Sequence, residues 1–160
     1  MKPGEIINIV DGSTVGTHQG VMYYTIGQRK GLDIGGIGPF YVIGKDVIRN
    51  QLYVTDENNQ HWLYSDSCLV SHVNFLADRK LPMHCCAKFR YRQPDNEVDL
   101  LENADGTLLV RYPQTIRSVT PGQEAVFYDG DVMIAGGRIE KVFRNGEDLM
   151  ETIADTIQNK

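Results

Sequence analysis

Turn dipeptides of the Asp-Gly type constrain the fold of this chain most, because each one separates two short runs of strand-forming residues. Asp and Gly can both take positive φ, so the pair suits a two-residue hairpin turn between antiparallel strands. Such pairs occur at Asp11-Gly12, Asp105-Gly106 and Asp129-Gly130. They predict hairpins, whereas parallel strands would need long crossover connections.

Short apolar runs recur at close spacing along the chain, and three pairs of them flank the Asp-Gly turns. They predict four hairpins and one further strand: residues 6–10 with 14–17, 40–44 with 51–55, 98–101 with 108–112, 125–128 with 132–135, and the strand 69–75. Many short strands with turns between them are typical of a β-barrel or a β-sandwich. The fold class is therefore predicted to be mainly β, in antiparallel arrangement.

A domain boundary is predicted close to residue 77, where a polar segment, residues 78–80, precedes Pro82. Proline cannot donate a hydrogen bond to a sheet and interrupts a strand at this point. The chain then divides into two small β-rich modules, residues 1–77 and 78–144.

The remaining residues, 145–160, form an acidic tail that is predicted to be helical. Leu149, Ile153 and Ile157 recur every four residues, and Asp148 precedes them as a candidate N-cap. A single apolar stripe on a short helix predicts that the helix docks on another surface or frays.

Composition limits the class of protein. The chain has 160 residues, of which 41% are hydrophobic and 23% charged, and these fractions are typical of a globular protein. No apolar run reaches the about 18 residues that a membrane-spanning helix needs. The three cysteines include the adjacent Cys85 and Cys86 and cannot all pair internally, which favours a reduced, cytoplasmic protein. The net charge of −5 excludes a polycation that coats nucleic acid without specificity.

The most basic part of the chain alternates in character like a strand. In residues 83–92 one face would hold Met83, Cys85, Ala87, Phe89 and Tyr91, and the other His84, Cys86, Lys88, Arg90 and Arg92. Side chains on one face of a strand lie about 7 Å apart, close to the spacing of phosphates along a nucleic-acid strand. Two interpretations remain open: this face binds an anion, or Glu97 and Asp99 pair with its cations across a hairpin.

Two loops also offer groups for recognition. Gln28, Arg29 and Lys30 lie between two glycines, and Gln and Arg can make two-point hydrogen bonds to phosphates or base edges. Gln123 follows the Pro-Gly turn at residues 120–122 and can make a specific polar contact. Neither loop matches the phosphate loop of nucleotide-binding proteins, and the sequence shows no recognisable spacing for a catalytic centre or a metal site.

Together these motifs resemble the tRNA-specific 2-thiouridylases, which replace the 2-oxygen of the wobble uridine with sulfur by means of ATP and a cysteine persulfide. The resemblance covers about residues 3–143 and rests on four ordered motifs: Gly16-Thr17-His18-Gln19-Gly20, Tyr24-Thr25-Ile26-Gly27-Gln28-Arg29-Lys30-Gly31-Leu32, Arg90-Tyr91-Arg92-Gln93, and Thr120-Pro121-Gly122-Gln123 followed by Ala125-Val126-Phe127-Tyr128. It implies the C-terminal part of such an enzyme: a central domain, corresponding to the module 1–77, and a β-barrel, corresponding to the module 78–144.

The resemblance also implies what this part lacks. In that family an N-terminal adenylating domain holds a Ser-Gly-Gly-x-Asp-Ser loop and both catalytic cysteines, and no such loop occurs in this sequence. We therefore expect no catalytic residue, metal or cofactor here, and we assign ATP to the longer enzyme. The implied partners are the anticodon arm of tRNA, the enzyme's own N-terminal domain and a sulfur donor.

The residues expected to bind tRNA follow from the family motifs and from the alternating pattern of residues 83–92. By motif, Arg90, Tyr91 and Gln123 match family positions that contact tRNA, while Gln28, Arg29 and Lys30 are expected near tRNA or the entrance to the active site. Lys88 and Arg92 are added because they share the basic face of residues 83–92. The alternative is a non-catalytic module that docks on the N-terminal domain or a sulfur donor, suggested by the apolar stripe of the acidic tail.

Overall fold

A computed structural model describes residues 2–36, 38–90 and 93–160. These residues form a mainly β structure that ends in one short α-helix. The elements are β1 (Gly4–Asn8), β2 (Thr14–His18), β3 (Phe40–Asp46), β4 (Gln51–Asp56), β5 (Tyr64–Phe75), β6 (Met83–Lys88), β7 (Asn96–Glu102), β8 (Leu108–Arg117), β9 (Glu124–Asp129), β10 (Val132–Arg144), β11 (Glu147–Asp148) and α1 (Leu149–Gln158). The predicted fold class is confirmed.

The first compact unit combines the chain up to Tyr64 with Leu149–Lys160. Its sheet has the strand order β2-β1-β4-β3, and the two predicted hairpins, β1 with β2 and β3 with β4, are both present. The pairing of β1 with β4 is parallel and joins the two hairpins into one sheet. The turn signals did not predict this pairing, because it connects strands that are distant in sequence.

Helix α1 belongs to this first unit and packs on β3. Its predicted apolar stripe is buried, with Leu149 at 5%, Ile153 at 0% and Ile157 at 6% exposure. Gly44 of β3 faces the helix, since a Cβ atom there would be in van der Waals contact, at 3.5 Å, with the Cγ2 atom of Ile153. The predicted helix is confirmed, and its apolar stripe docks on a strand of the same chain.

The second compact unit, Ser65–Asp148, contains the barrel. Its strands follow the order β11-β10-β5-β8-β7-β6-β9, and an additional pairing of β9 with β10 closes the sheet. The two predicted hairpins of this unit, β7 with β8 and β9 with β10, are present. Closure satisfies the backbone groups that an edge strand would leave open. The barrel implied for the second module is therefore confirmed.

Along the chain, the boundary from the first unit to the second lies between Tyr64 and Ser65, whereas the sequence predicted it at residue 77. Strand β5 pairs with β10 along the barrel, for example Cys68 with Val142, so residues 65–75 lie in the second unit. The polar segment at 78–80 is the connection from β5 to β6 inside that unit. Polar residues followed by proline mark the end of a strand, and this signal does not distinguish a loop from a domain boundary.

No helix in the described part of the chain has the length and apolarity to cross a membrane.

Candidate nucleic-acid interface

Strand β6 alternates as predicted and ends before the basic segment does. Cys85, Ala87 and Phe89 are buried with exposures of 5%, 0% and 0%, while His84 and Lys88 are exposed. The strand ends at Lys88, so Arg90 lies in the segment that follows it. Tyr91 and Arg92, two of the predicted tRNA-binding residues, lie outside the described residues.

The cations on β6 itself face acidic side chains. The Nδ1 atom of His84 lies 2.9 Å from Asp99, and its Nε2 atom lies 3.6 Å from Glu97. The hydrogen bond with Asp99 is the main reason that the pKa of His84 lies above its ordinary value. For His84, cross-strand pairing is therefore the interpretation that the geometry supports.

Lys88 follows the same pattern with a different acid. Its Nζ atom lies 3.7 Å from Asp95, just before β7, and 5.8 Å from the centre of the Tyr128 ring. Both members of the ion pair are about half exposed, with side-chain exposures of 45% and 50%. Exposed ion pairs stabilise a protein by at most about 1 kcal/mol, so a phosphate group can displace this acid.

Arg90 has a different environment. It is half-buried, and its Nη2 atom donates a hydrogen bond to the Oγ1 atom of Thr120 at 3.0 Å. Burial, together with the positive charge of Arg117, lowers the pKa of Arg90 from its ordinary value, although an arginine stays protonated in proteins. The hydroxyl of Thr120 is neutral, so this hydrogen bond directs the guanidinium group and leaves its charge intact.

The turn that contains Thr120 also positions Gln123. Gly122, with a φ of 93°, donates its N–H to the carbonyl oxygen of Ile139 at 2.7 Å, and the N–H of Ile139 donates to the carbonyl of Gln123 at 2.9 Å. Glycine suits this turn because it takes positive φ at no steric cost. Two backbone hydrogen bonds therefore attach the turn to β10.

Arg90 and Gln123 meet in one cleft of about 390 Å³, which they line together with Phe89 and Glu124. The Oε1 atom of Gln123 is buried and accepts no hydrogen bond from the residues that the structure describes. A cation directed by a hydrogen bond and a buried acceptor thus line the same cleft. Two residues that were predicted from distant motifs, Arg90 and Gln123, supply these groups.

The residues Gln28, Arg29 and Lys30 lie in a loop of the first unit. Gln28 uses both ends of its amide within this loop: Oε1 accepts from the N–H of Thr25 at 3.0 Å, and Nε2 donates to the carbonyl of Lys30 at 2.9 Å. The backbone of Gln28 also accepts a hydrogen bond from Val42 of β3. Gln28 therefore shapes the loop, while Arg29 and Lys30 are exposed on it.

Sequence reasoning did not single out Thr120 or Arg117 as neighbours of Arg90. Thr120 was noted only as part of a turn, and Arg117 ends strand β8. Their relation to Arg90 depends on the tertiary arrangement of the barrel, and no local pattern in the sequence signals it.

The motif around His18 is structural. His18 is fully buried, and its Nδ1 atom accepts a hydrogen bond from the N–H of Gly20 at 3.0 Å. The proton of the neutral ring is therefore on Nε2, which donates to the carbonyl of Asn50 at 2.8 Å. The side chain of Asn50 in turn donates to the carbonyl of Pro3 at 3.0 Å. This chain of hydrogen bonds joins the start of β1 to the end of β2.

Cys68 and Cys85 lack the features of reactive thiols. Burial raises the pKa of Cys68 and of Cys85 to about 12, and a thiol reacts as the thiolate, which both residues disfavour. All three cysteines are free of disulfide bonds. Within residues 2–36, 38–90 and 93–160, no group of three or more His, Cys, Asp or Glu side chains is placed to hold a metal ion.

Comparison with known proteins identifies the family. Residues 1–56 match the family model described as a tRNA methyl transferase PRC-barrel domain, and residues 65–139 match the one described as an aminomethyltransferase β-barrel domain. A protein of Geobacillus thermodenitrificans named tRNA-specific 2-thiouridylase MnmA is 52% identical over 151 residues. The chain belongs to the family of tRNA-specific 2-thiouridylases. The resemblance found in its motifs is therefore confirmed.

Further 2-thiouridylases agree with this assignment. The proteins of the same name from Halalkalibacterium halodurans and Listeria monocytogenes serovar 1/2a are 47% and 46% identical over 150 and 151 residues. In each of the three pairs the aligned region is 92% of this chain and 40% of the relative. The chain thus spans about two fifths of the length of these 2-thiouridylases, and it matches the C-terminal part that the motifs indicated.

Proposed function

We propose that this chain is the tRNA-binding C-terminal portion of an enzyme that thiolates the 2-position of the wobble uridine. In this proposal the sulfur transfer requires ATP and a persulfide and takes place in an N-terminal adenylating domain. The chain supplies no catalytic residue and no cofactor site. It works in the cytoplasm on the anticodon arm of tRNA, beside its own N-terminal domain and a sulfur donor.

The observation that supports this proposal best is the shared cleft of Arg90 and Gln123. The guanidinium group of Arg90 provides a directed positive charge for a phosphate, and planar guanidinium groups bind phosphates through paired hydrogen bonds. The Oε1 atom of Gln123 is buried without a donor among the described residues, which costs about 1–3 kcal/mol. A base amino group or a 2′-hydroxyl of RNA would supply that donor.

The remaining predicted residues have supporting roles in this proposal. Arg29 and Lys30 contact phosphates from an exposed loop, and Gln28 holds that loop in shape. Lys88 exchanges Asp95 for a phosphate when tRNA binds. Tyr91 and Arg92 remain proposals from the family motif and from the alternation of the basic segment.

The contribution to the reaction is binding and orientation. A wobble uridine must leave the anticodon stack before its ring can be activated, which costs a few kcal/mol. Contacts between the barrel and the anticodon arm offset part of this cost. They also help to exclude water, so that the activated uridine reacts with sulfur and is not hydrolysed.

The alternative role as a protein-interaction module has less support. It was suggested by the apolar stripe of the acidic tail, and this stripe is buried against β3 of the same chain. An occupied surface is not available to a partner protein, so the observation that motivated the alternative now favours an internal role for the helix.

The proposal is tested by titrating a labelled tRNA transcript with uridine at the wobble position. We expect Arg90→Ala to bind about tenfold more weakly, because a hydrogen bond to a charged group is lost. The slope of log affinity against log salt concentration should also fall by about 1, since one phosphate contact disappears.

Arg49→Ala is the matched control, because it removes one exposed positive charge that the proposal does not place at the RNA. We expect its affinity to stay within about twofold of the wild type, since Arg49 is paired with Asp46 at 3.0 Å and has no proposed contact with tRNA. Equal affinities of Arg90→Ala and wild type would refute the proposed role of Arg90.

A further inference from the structure

We propose that Thr120 is a positioning residue for tRNA binding: its hydroxyl group holds the guanidinium of Arg90 in the orientation that meets the RNA. This inference rests on the proposed function, because it requires Arg90 to contact tRNA. It assigns to Thr120 a role that is separate from forming the turn.

The hydroxyl of Thr120 has a defined direction. Its single proton is donated to the carbonyl of Ser118 at 2.9 Å, and the same oxygen accepts a hydrogen bond from the Nη2 atom of Arg90 at 3.0 Å. Because the proton is committed to Ser118, a lone pair of the oxygen points to the guanidinium group. Thr120 is thus an oriented acceptor for Arg90.

The residues before and after Thr120 are anchored in the second unit by burial and hydrogen bonds. Ser118 has a φ of 62° and, like Val119, an exposure of only 4%. On the other side of Thr120, two hydrogen bonds fasten Gly122 and Gln123 to Ile139. Thr120 therefore lies between two fixed points, and the group that it holds is fixed as well.

An arginine held in this way loses less conformational freedom when it binds. A free arginine side chain has many rotamers, and ordering it on binding reduces affinity. A preset guanidinium avoids part of that loss. The same turn also sets Gln123, whose N–H donates to the carbonyl of Thr120 at 3.3 Å, so Thr120 links the two residues of the cleft.

The first test compares Thr120→Val, which is nearly isosteric and lacks the hydroxyl, with Thr120→Ser, which keeps it. With the same tRNA transcript, we expect Thr120→Val to bind about fivefold more weakly, as for the loss of one directed hydrogen bond. We expect Thr120→Ser to stay within about twofold of the wild type. Wild-type affinity of Thr120→Val, beside a weakened Arg90→Ala, would overturn the inference and leave the proposed function intact.

The second test is a double-mutant cycle with Arg90→Ala. If Thr120 acts through Arg90, then Arg90→Ala with Thr120→Val should bind no more weakly than Arg90→Ala alone. Additive losses would show that Thr120 acts on tRNA directly or through the fold, and would overturn the inference. Wild-type affinity of Arg90→Ala would overturn both the inference and the proposed function.

A third measurement needs no RNA. The order parameter of the Nε–H group of Arg90, measured by ¹⁵N relaxation in the free protein, should fall in Thr120→Val and recover in Thr120→Ser. An unchanged order parameter in Thr120→Val would overturn the inference even if both variants bound tRNA poorly.

Discussion

Lys88 and Arg90 are two residues apart and share one face of the predicted basic strand, yet their environments differ. Lys88 is the last residue of β6, is exposed, and faces Asp95 and the ring of Tyr128. Arg90 lies beyond the strand, is half-buried, and is held by the neutral hydroxyl of Thr120 near Arg117. Arg90, unlike Lys88, is among the residues that line the cleft with Gln123.

The difference shows what alternation can establish about a charged segment. Alternation determines which side chains point away from the core, and it did so correctly as far as Phe89. It does not determine which acids lie opposite, because these come from the neighbouring strand. A row of cations in a sequence is therefore an incomplete argument for binding nucleic acid until the groups that face it are known.

The largest expected effect concerns Phe89, which lies between the two cations. It is fully buried, with its ring centre 5.5 Å from that of Tyr112, and it anchors the segment where β6 ends. We expect Phe89→Ala to lower the free energy of unfolding by about 3–5 kcal/mol, measured by urea denaturation. Lys88→Ala, the control, should change it by less than about 0.5 kcal/mol. Similar effects of both variants would show that the anchor is not Phe89.

An intermediate effect, on the affinity for tRNA, is expected from removing the negative charge that pairs with Lys88. Asp95→Asn removes the acid beside its Nζ atom, so we expect the affinity for the tRNA transcript to rise about two- to threefold, with a steeper dependence on salt. Asp155→Asn on helix α1 is the control, because it changes the net charge equally at a distant point of the sequence. An equal rise in both variants would mean that overall charge, and not Lys88, is responsible.

The smallest effect concerns the pH dependence of His84. Because Asp99 holds the pKa of His84 above its ordinary value, the protonated form stabilises the fold. This stabilisation is complete below the unfolded pKa of about 6.5 and is lost as the pH rises through the raised folded pKa. An NMR titration should show the pKa of His84 falling in Asp99→Asn, and by less in Glu97→Gln. An unchanged pKa in Asp99→Asn would contradict the cross-strand pair.

Much of the fold could be predicted because its signals are local. Asp-Gly turns and short apolar runs predicted four of the hairpins, and the spacing of apolar residues predicted helix α1. The parallel pairing of β1 with β4 and the place of β5 in the barrel could not be predicted in this way. They depend on contacts between distant segments, for which a single sequence contains no periodic signal.

The same distinction between local signals and contacts of distant segments applies to the candidate site. The family motifs singled out Arg90 and Gln123 from the sequence, and the structure places them in one cleft. Gln28 stays a residue predicted to lie near tRNA or the entrance to the active site, and its amide makes two hydrogen bonds within its own loop. The hydrogen bond from Arg90 to Thr120 had no signal in the sequence, since a threonine before a proline suits an ordinary turn equally well.

The sequence by itself determined that this protein is mainly β, which face of residues 83–89 is buried, and to which family the chain belongs. These properties follow from turn chemistry, from the two-residue period of a strand and from ordered motifs, all of which act over a few residues. The tertiary structure decided a partner for each of the two cations: Lys88 meets the carboxylate of Asp95, and Arg90 meets the hydroxyl of Thr120. The physical reason is that closing the barrel brings distant strands together, and their register sets the partners of each side chain.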